Sequence, residues 1–364
     1  LLAGRPDPVF VSGVHDVRRT VTEPSLVGRT AALDALEEHL DGAGSAAGRL
    51  VFLSGESGGG KTRVLAEFAK RCERPGDWVL LGQGRDHAAQ RPFQMLAGVA
   101  AGVLRDCAGD AAWVASIAAA MGEDLDAACR CLPDLAALFG GEHNRDGGPD
   151  AFGQARSVRA LSVLLDALGA SGPRTVVLLD DCQWADASSL KVLEHWRAGS
   201  YGDRPASPAS ARRGLLVVAA FRSDEIAPDH PLLSLATTAE IRLPRLTDAE
   251  VRTLVESMAG ALPEPAVDVI TRLSAGQPFM ASAVLRGLVE SGALRPGRRA
   301  WVIDDLVMQD VRAARDAGAL LARRLSLLTD ETRALLAIGA ILGKEFDLAD
   351  VAALSGHPQE QVAG

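Results

Sequence analysis

Eight consecutive residues carry the most specific chemistry in the chain: Gly55-Glu56-Ser57-Gly58-Gly59-Gly60-Lys61-Thr62. They fit the pattern G-x-x-x-x-G-K-[ST] without a mismatch. Glycines reach backbone angles that other residues resist, so successive N–H groups can turn inward around a phosphate. Lys61 would reach the β- and γ-phosphates as a point charge, and the Thr62 hydroxyl would ligate Mg²⁺. An apolar run, Leu50 to Leu53, precedes the loop, and a helical pattern, Arg63 to Arg71, follows it. That strand–loop–helix context is what a phosphate loop requires, and the helix aims its positive end at the same anion.

Two acids and an arginine lie at the ends of other apolar runs. Thr175-Val-Val-Leu-Leu179 leads into Asp180-Asp181, and Leu215 to Phe221 leads into Arg222. Continuous apolar runs suit parallel strands buried on both faces, and open parallel sheets bind ligands at the carboxyl ends of their strands. Asp180 would hold Mg²⁺, directly or through water. Asp181 is positioned to orient or deprotonate an attacking water. A cation at Arg222 would sense the γ-phosphate or stabilise developing charge; the alternative is a surface pair with Asp224 or Glu225. Gln183 and Trp184 would shape the site or simply pack.

Strands that alternate with helices predict a parallel α/β sheet. The strands expected are Leu50–Leu53, Trp78–Leu81, 175–181, Leu215–Phe221 and Ala239–Leu243, in a sheet of five sandwiched by helices. Helices are expected at Thr30–Leu40, at Phe93–Leu104 despite two glycines, through the Ala-rich stretch 111–139 with a break at Pro133, and at Ala151–Leu168. Asp186 is an N-cap candidate for the helix after it. Polar, glycine-rich loops are expected at 140–149 and 199–213. Beyond Leu246 the pattern is helical: Thr247-Asp-Ala-Glu250 is a capping box, and helices are expected at Pro265–Ser274, Phe279–Glu290, Val311–Ser326, Thr329–Leu342 and Leu348–Ser355. Leu294 and Trp301-Val-Ile303 suggest a small hairpin. The domain organisation expected is a linker or arm (1–25), a nucleotide-binding α/β domain (26–245), a helical lid (246–328) and the start of a winged-helix unit (329–364).

Composition limits the partners. Of 364 residues 48% are hydrophobic, enough for large cores, and the net charge of −9 argues against a chain-wide nucleic-acid surface. No apolar run reaches the ~18–20 residues of a membrane helix. Five cysteines, with only Cys129 and Cys131 close together, fit reduced thiols in the cytoplasm better than a disulfide framework or a zinc site. A first residue other than Met and an end inside a helix-rich stretch suggest a piece of a longer protein.

These residues resemble the signal-transduction ATPases with numerous domains, a branch of the AAA+ class. The resemblance rests on Val27-Gly28-Arg29, Gly55–Thr62, Leu178-Leu179-Asp180-Asp181 with Gln183-Trp184-Ala185-Asp186, Ala220-Phe221-Arg222-Ser223 and Gly276-Gln277-Pro278-Phe279. It is similar to ATPase modules of large LuxR-type regulators and of bacterial multidomain serine/threonine kinases. The resemblance implies ATP or ADP with Mg²⁺ as ligands, and it assigns Gly28, Arg29 and Pro278 to the adenine. Arg63, directly after the loop, would join Glu56, Ser57 and the loop glycines in binding. Arg222 would be the first sensor. The implied function is a slow, nucleotide-dependent switch, coupled to flanking signalling domains such as a kinase and to self-association. Asp-Asp in place of the Asp-Glu of AAA+ motors points to slow hydrolysis. Two other functions stay open: a ring-forming AAA+ motor on DNA or protein, and a small-molecule phosphotransferase.

Overall fold

The computed structural model describes residues 20–43, 48–72, 77–86, 91–107, 109–140, 151–170, 174–199, 214–298, 300–312, 325, 328–342 and 347–358. Most of the arm 1–25, nearly all of the loops expected at 140–149 and 199–213, and most of the helix expected at Val311–Ser326 therefore lie outside the described residues. The chain forms two units, one of residues 26–245 and one of residues 1–25 with 246–364.

The first unit is built on five strands: β1 (Arg49–Gly55), β2 (Trp78–Gln83), β3 (Thr175–Asp180), β4 (Leu215–Arg222) and β5 (Ala239–Arg242). They pair in the order β2-β3-β4-β1-β5, every pair parallel. Among the described residues, eight helices flank them: α1 (Thr30–Ala43), α2 (Lys61–Arg71), α3 (Gln94–Cys107), α4 (Ala111–Met121), α5 (Leu125–Cys131), α6 (Pro133–Phe139), α7 (Ala151–Ala170) and α8 (Ala187–Ala198). Side chains alternate across a strand, so each of the central strands β1, β3 and β4 feeds two cores. Leu50 and Phe52 pack with Val177, Leu179, Val217 and Ala219 among residues of α3 to α8. Val51 and Leu53 pack with Val176, Leu178 and Val218 against Leu33 and Leu36 of α1 and Val64 and Phe68 of α2. Burial on both faces is why these runs read as uninterrupted apolar residues.

The sequence understates three strand ends. β1 runs on to Gly55, β2 to Gln83 and β4 to Arg222, because ladder pairing continues through polar residues at the edge of the core. The glycines of α3 also have a packing reason. A Cβ on Gly98 would lie 2.5 Å from the Leu81 carbonyl oxygen, so α3 can approach β2 this closely only without one. Pro133 stands at the first position of α6, where its missing N–H costs nothing. Cys129 and Cys131 fall within α5. Burial pushes the Cys129 thiol up to about 11, and among the described residues no cluster of His, Cys, Asp and Glu could hold a metal ion.

Asp186 ties two helices together. Its carboxylate accepts from the N–H and hydroxyl of Ser189 at 2.9 and 2.6 Å, capping α8. It also accepts from the N–H of Phe93 and of Met95 at 2.9 and 3.3 Å, where the chain enters α3. Phe93 takes φ 63 at that entry.

The second unit contains α9 (Asp248–Ala259), α10 (Glu264–Ser274), α11 (Pro278–Glu290), the antiparallel hairpin β6 (Leu294–Pro296) and β7 (Trp301–Ile303), α12 (Asp305–Arg312), α13 (Asp330–Leu342) and α14 (Leu348–Ser355). The capping box at Thr247 forms as expected. Trp301 donates its indole N–H to the Ala259 carbonyl at 2.9 Å, pinning the hairpin on α9. Thr22 and Ser25 hydrogen-bond to Met258 and Ser257 of α9. The described helix near 311 starts earlier than expected, at Asp305, where an acid suits the first turn. Among the described residues, no helix is long and apolar enough to cross a membrane.

Candidate functional site

Parallel pairing brings the chemistry-bearing residues to one sheet edge. Gly55 pairs with Arg222 across β1 and β4, and Gln83 with Asp180 across β2 and β3. The loop between β1 and α2 thus stands at the carboxyl ends of the central strands, where such sheets bind ligands.

Within the loop, Gly58 and Gly60 take φ 71 and 92, angles that let N–H groups face inward. Gly59 donates to the Glu56 carbonyl at 3.0 Å, and a Cβ at Gly59 would lie 2.9 Å from that oxygen. Gly58 and Gly60 are thus required by their backbone angles, and Gly59 by its close approach to the Glu56 carbonyl. Lys61, 6% exposed, donates its Nζ to the carbonyls of Gly55 and Glu56 at 2.8 and 2.9 Å. Burial pulls the Lys61 pKa below its usual value, helped by Arg222 and opposed by Asp180, Asp224 and Asp181. Ser57 donates its N–H to Asp224 at 2.9 Å. Glu56 forms an ion pair with Arg245 at 2.7 Å. Arg63, the third residue of α2, is exposed.

Thr62 donates its hydroxyl to Asp180 Oδ2 at 2.7 Å. The other oxygen of Asp180 accepts the Asp181 N–H at 2.9 Å. A hydroxyl and a carboxylate meeting at a phosphate loop are hard oxygen donors of the kind Mg²⁺ takes, so these residues fit that ion.

Asp181 follows β3 at φ 52 and ψ 41, a left-handed position that few residue types besides glycine, asparagine and aspartate adopt. Its carboxylate is 3% exposed. One oxygen accepts from Gln83 Nε2 at 3.1 Å, and the other from Gln183 Nε2 at 3.2 Å. Arg222 Nη2 lies 3.3 Å from that second oxygen. Gln183 also accepts the Arg222 N–H at 3.1 Å, bridging the ends of β3 and β4. The Arg222 guanidinium pairs with Glu225 at 2.6 Å and stacks over Trp184, 4.5 Å from the ring centroid. Burial works against its charge, but the bonds from Glu225 and Asp181 outweigh it and raise its pKa.

Arg29 is 3% exposed, and its guanidinium donates to the carbonyls of Gly59 at 3.1 Å and Gly28 at 3.2 Å. Pro278 lies in the second unit, as the first residue of α11, after Gly276 at φ 77. Sequence reasoning passed over Gln83 and Arg245, and it weighed Asp224 only as a partner of Arg222, not of the Ser57 N–H. Gln83 had a signal: it is the first polar residue after the apolar run of β2. Asp224 and Arg245 had none, because their contacts depend on loop geometry.

Residues 25–197 match the family model of the AAA ATPase domain. No curated protein matches the chain. Among solved structures, the ORC2 protein of Aeropyrum pernix in its ADPNP–ADP complexes is similar at 17% identity and TM-score 0.46, over 94% of this chain and 84% of that one. Drosophila ORC bound to DNA is similar at 16% and 0.45, over 100% and 86%. Domain III of the Thermotoga maritima replication initiation protein DnaA is similar at 14% and 0.40, over 79% and 93%. The matched domain, the loop and the strand order together make the first unit a P-loop NTPase fold of the AAA+ type.

Proposed function

We propose that the chain is a nucleotide-dependent switch that binds ATP or ADP with Mg²⁺ and hydrolyses ATP slowly. The observation that carries this reading is the convergence of Lys61, Thr62–Asp180, Asp181 and Arg222 on one sheet edge. Lys61 and the loop N–H groups would bind the phosphates. Thr62 and Asp180 would hold Mg²⁺, which supplies charge neutralisation between phosphate oxygens. Arg222 would sense the γ-phosphate, the group that distinguishes ATP from ADP. A ligand shifts a population only through such a differential contact.

Slow hydrolysis follows from the environment of Asp181. An acid neutralised by Arg222 and held by Gln83 and Gln183 is a restrained base. The Glu56–Arg245 pair links the phosphate loop to the residue at which the first unit ends, a route by which nucleotide state would reach the rest of the chain. Gly28 keeps the adenine-flanking role that the resemblance implies. Coupling to flanking signalling domains and nucleotide-dependent self-association belong to the same reading.

The test is binding of Mg²⁺–ATP by calorimetry to the parent chain and to Lys61→Ala. The reading expects at least a tenfold loss in the variant, since hydrogen bonds to charged groups contribute about 1.5–3 kcal/mol. Unchanged ATP affinity would sink the phosphate-loop assignment.

A further inference from the structure

The resemblance sends Arg29 to the adenine, yet its guanidinium lies on the phosphate loop. A buried charge persists only where hydrogen bonds match it, and the carbonyls of Gly28 and Gly59 are among the acceptors here. Gly28 takes φ 67, the turn from which its carbonyl meets the side chain that follows. The Gly59 carbonyl belongs to the same planar trans peptide as the Gly60 N–H, so those two groups point in opposite directions. Whatever fixes the carbonyl aims the N–H.

Fixing is needed at this peptide in particular. Gly58 and Gly60 stand on either side of Gly59 at positive φ, and glycine crosses easily between backbone wells. A charge-assisted hydrogen bond also polarises the peptide and strengthens its N–H as a donor. Lys61 treats the opposite limb of the loop in the same way, through the carbonyls of Gly55 and Glu56.

We propose that Arg29 is a positioning residue of the phosphate loop: anchored on the Gly28 carbonyl, it clamps the Gly59–Gly60 peptide so that the Gly60 N–H faces the bound phosphate. This inference rests on the reading of Gly55–Thr62 as a phosphate loop. It gives Arg29 a task that is independent of the base, and the base is what the test removes.

The experiment displaces a fluorescent ATP analogue with Mg²⁺–tripolyphosphate and, separately, with Mg²⁺–ATP. It compares the parent chain, Arg29→Met, Arg29→Lys and Lys61→Ala. Arg29→Met keeps an apolar stem and removes the donors, and it should weaken both competitors by the same factor, about tenfold or more. Arg29→Lys keeps one donor and should weaken both equally but less. Should Arg29→Met fail to fold by circular dichroism, the Arg29→Lys ratios decide. A loss confined to ATP, with tripolyphosphate unchanged, overturns the proposal in favour of a base contact, and so does no loss for either competitor. Tripolyphosphate that cannot displace the analogue from the parent, or that is indifferent to Lys61→Ala, overturns the phosphate-loop reading itself and this inference with it.

Discussion

The guanidinium of Arg222 lies 3.3 Å from the carboxylate of Asp181, so the cation expected to sense the γ-phosphate and the acid expected to act on water neutralise each other. Glu225 holds the other side of the same guanidinium. A triphosphate would compete with two acids for one cation, and the outcome of that competition is what separates ATP from ADP.

Arg222→Ala should therefore narrow the ratio of ATP to ADP affinity, by about tenfold if the γ-phosphate takes one charge-assisted bond. Parallel calorimetric titrations with the two nucleotides measure it. An unaltered ratio would return Arg222 to its pairing with Glu225 alone.

Asp181→Asn keeps the shape of the side chain and a residue type that tolerates φ 52. Nucleotide binding should survive while turnover falls by about 100-fold, the scale of a lost general base. Equilibrium binding and single-turnover hydrolysis separate the two effects. Lost binding would instead move Asp181 into the shell around Mg²⁺.

The pH dependence of binding follows from Lys61, whose pKa burial lowers below 10.5. A bound phosphate favours its charged form, so the complex holds the proton more tightly than the unliganded protein. Affinity is then full below the unliganded pKa and falls as pH rises through it, with proton uptake on binding in that window. The decline should begin at a lower pH than an unshifted lysine would give. Titrations in buffers of differing ionisation enthalpy detect the uptake; affinity that holds steady up to pH 10.5 would count against a buried, phosphate-facing Lys61.

Asp186→Ala removes the acceptor of the Phe93, Met95 and Ser189 N–H groups at once. Losing a cap and leaving buried donors unmatched should cost about 3 kcal/mol. Urea denaturation measures this, and a change under 1 kcal/mol would contradict the double cap.

The sheet was legible in the sequence because both faces of its strands are buried, which writes uninterrupted apolar runs such as 176–179 and 215–221. Thr62, Asp180 and Arg222 were legible because strand ends and the loop motif fix where they meet. Gln83 was hidden by β2 ending two residues later than its apolar run suggests. The place of Arg29 was hidden too, since a contact to the Gly59 carbonyl leaves no mark on residue type or spacing. Asp186 was readable as a cap on α8, but its hold on the start of α3 needs a contact over 93 residues of chain.

The rate of ATP turnover by the chain alone tests the switch most directly. With Mg²⁺ and saturating ATP, the account predicts turnover well below 1 s⁻¹, because Asp181 is restrained by Arg222, Gln83 and Gln183. Steady hydrolysis at ~1 s⁻¹ or faster without an activator, the range of ordinary enzymes, would contradict it.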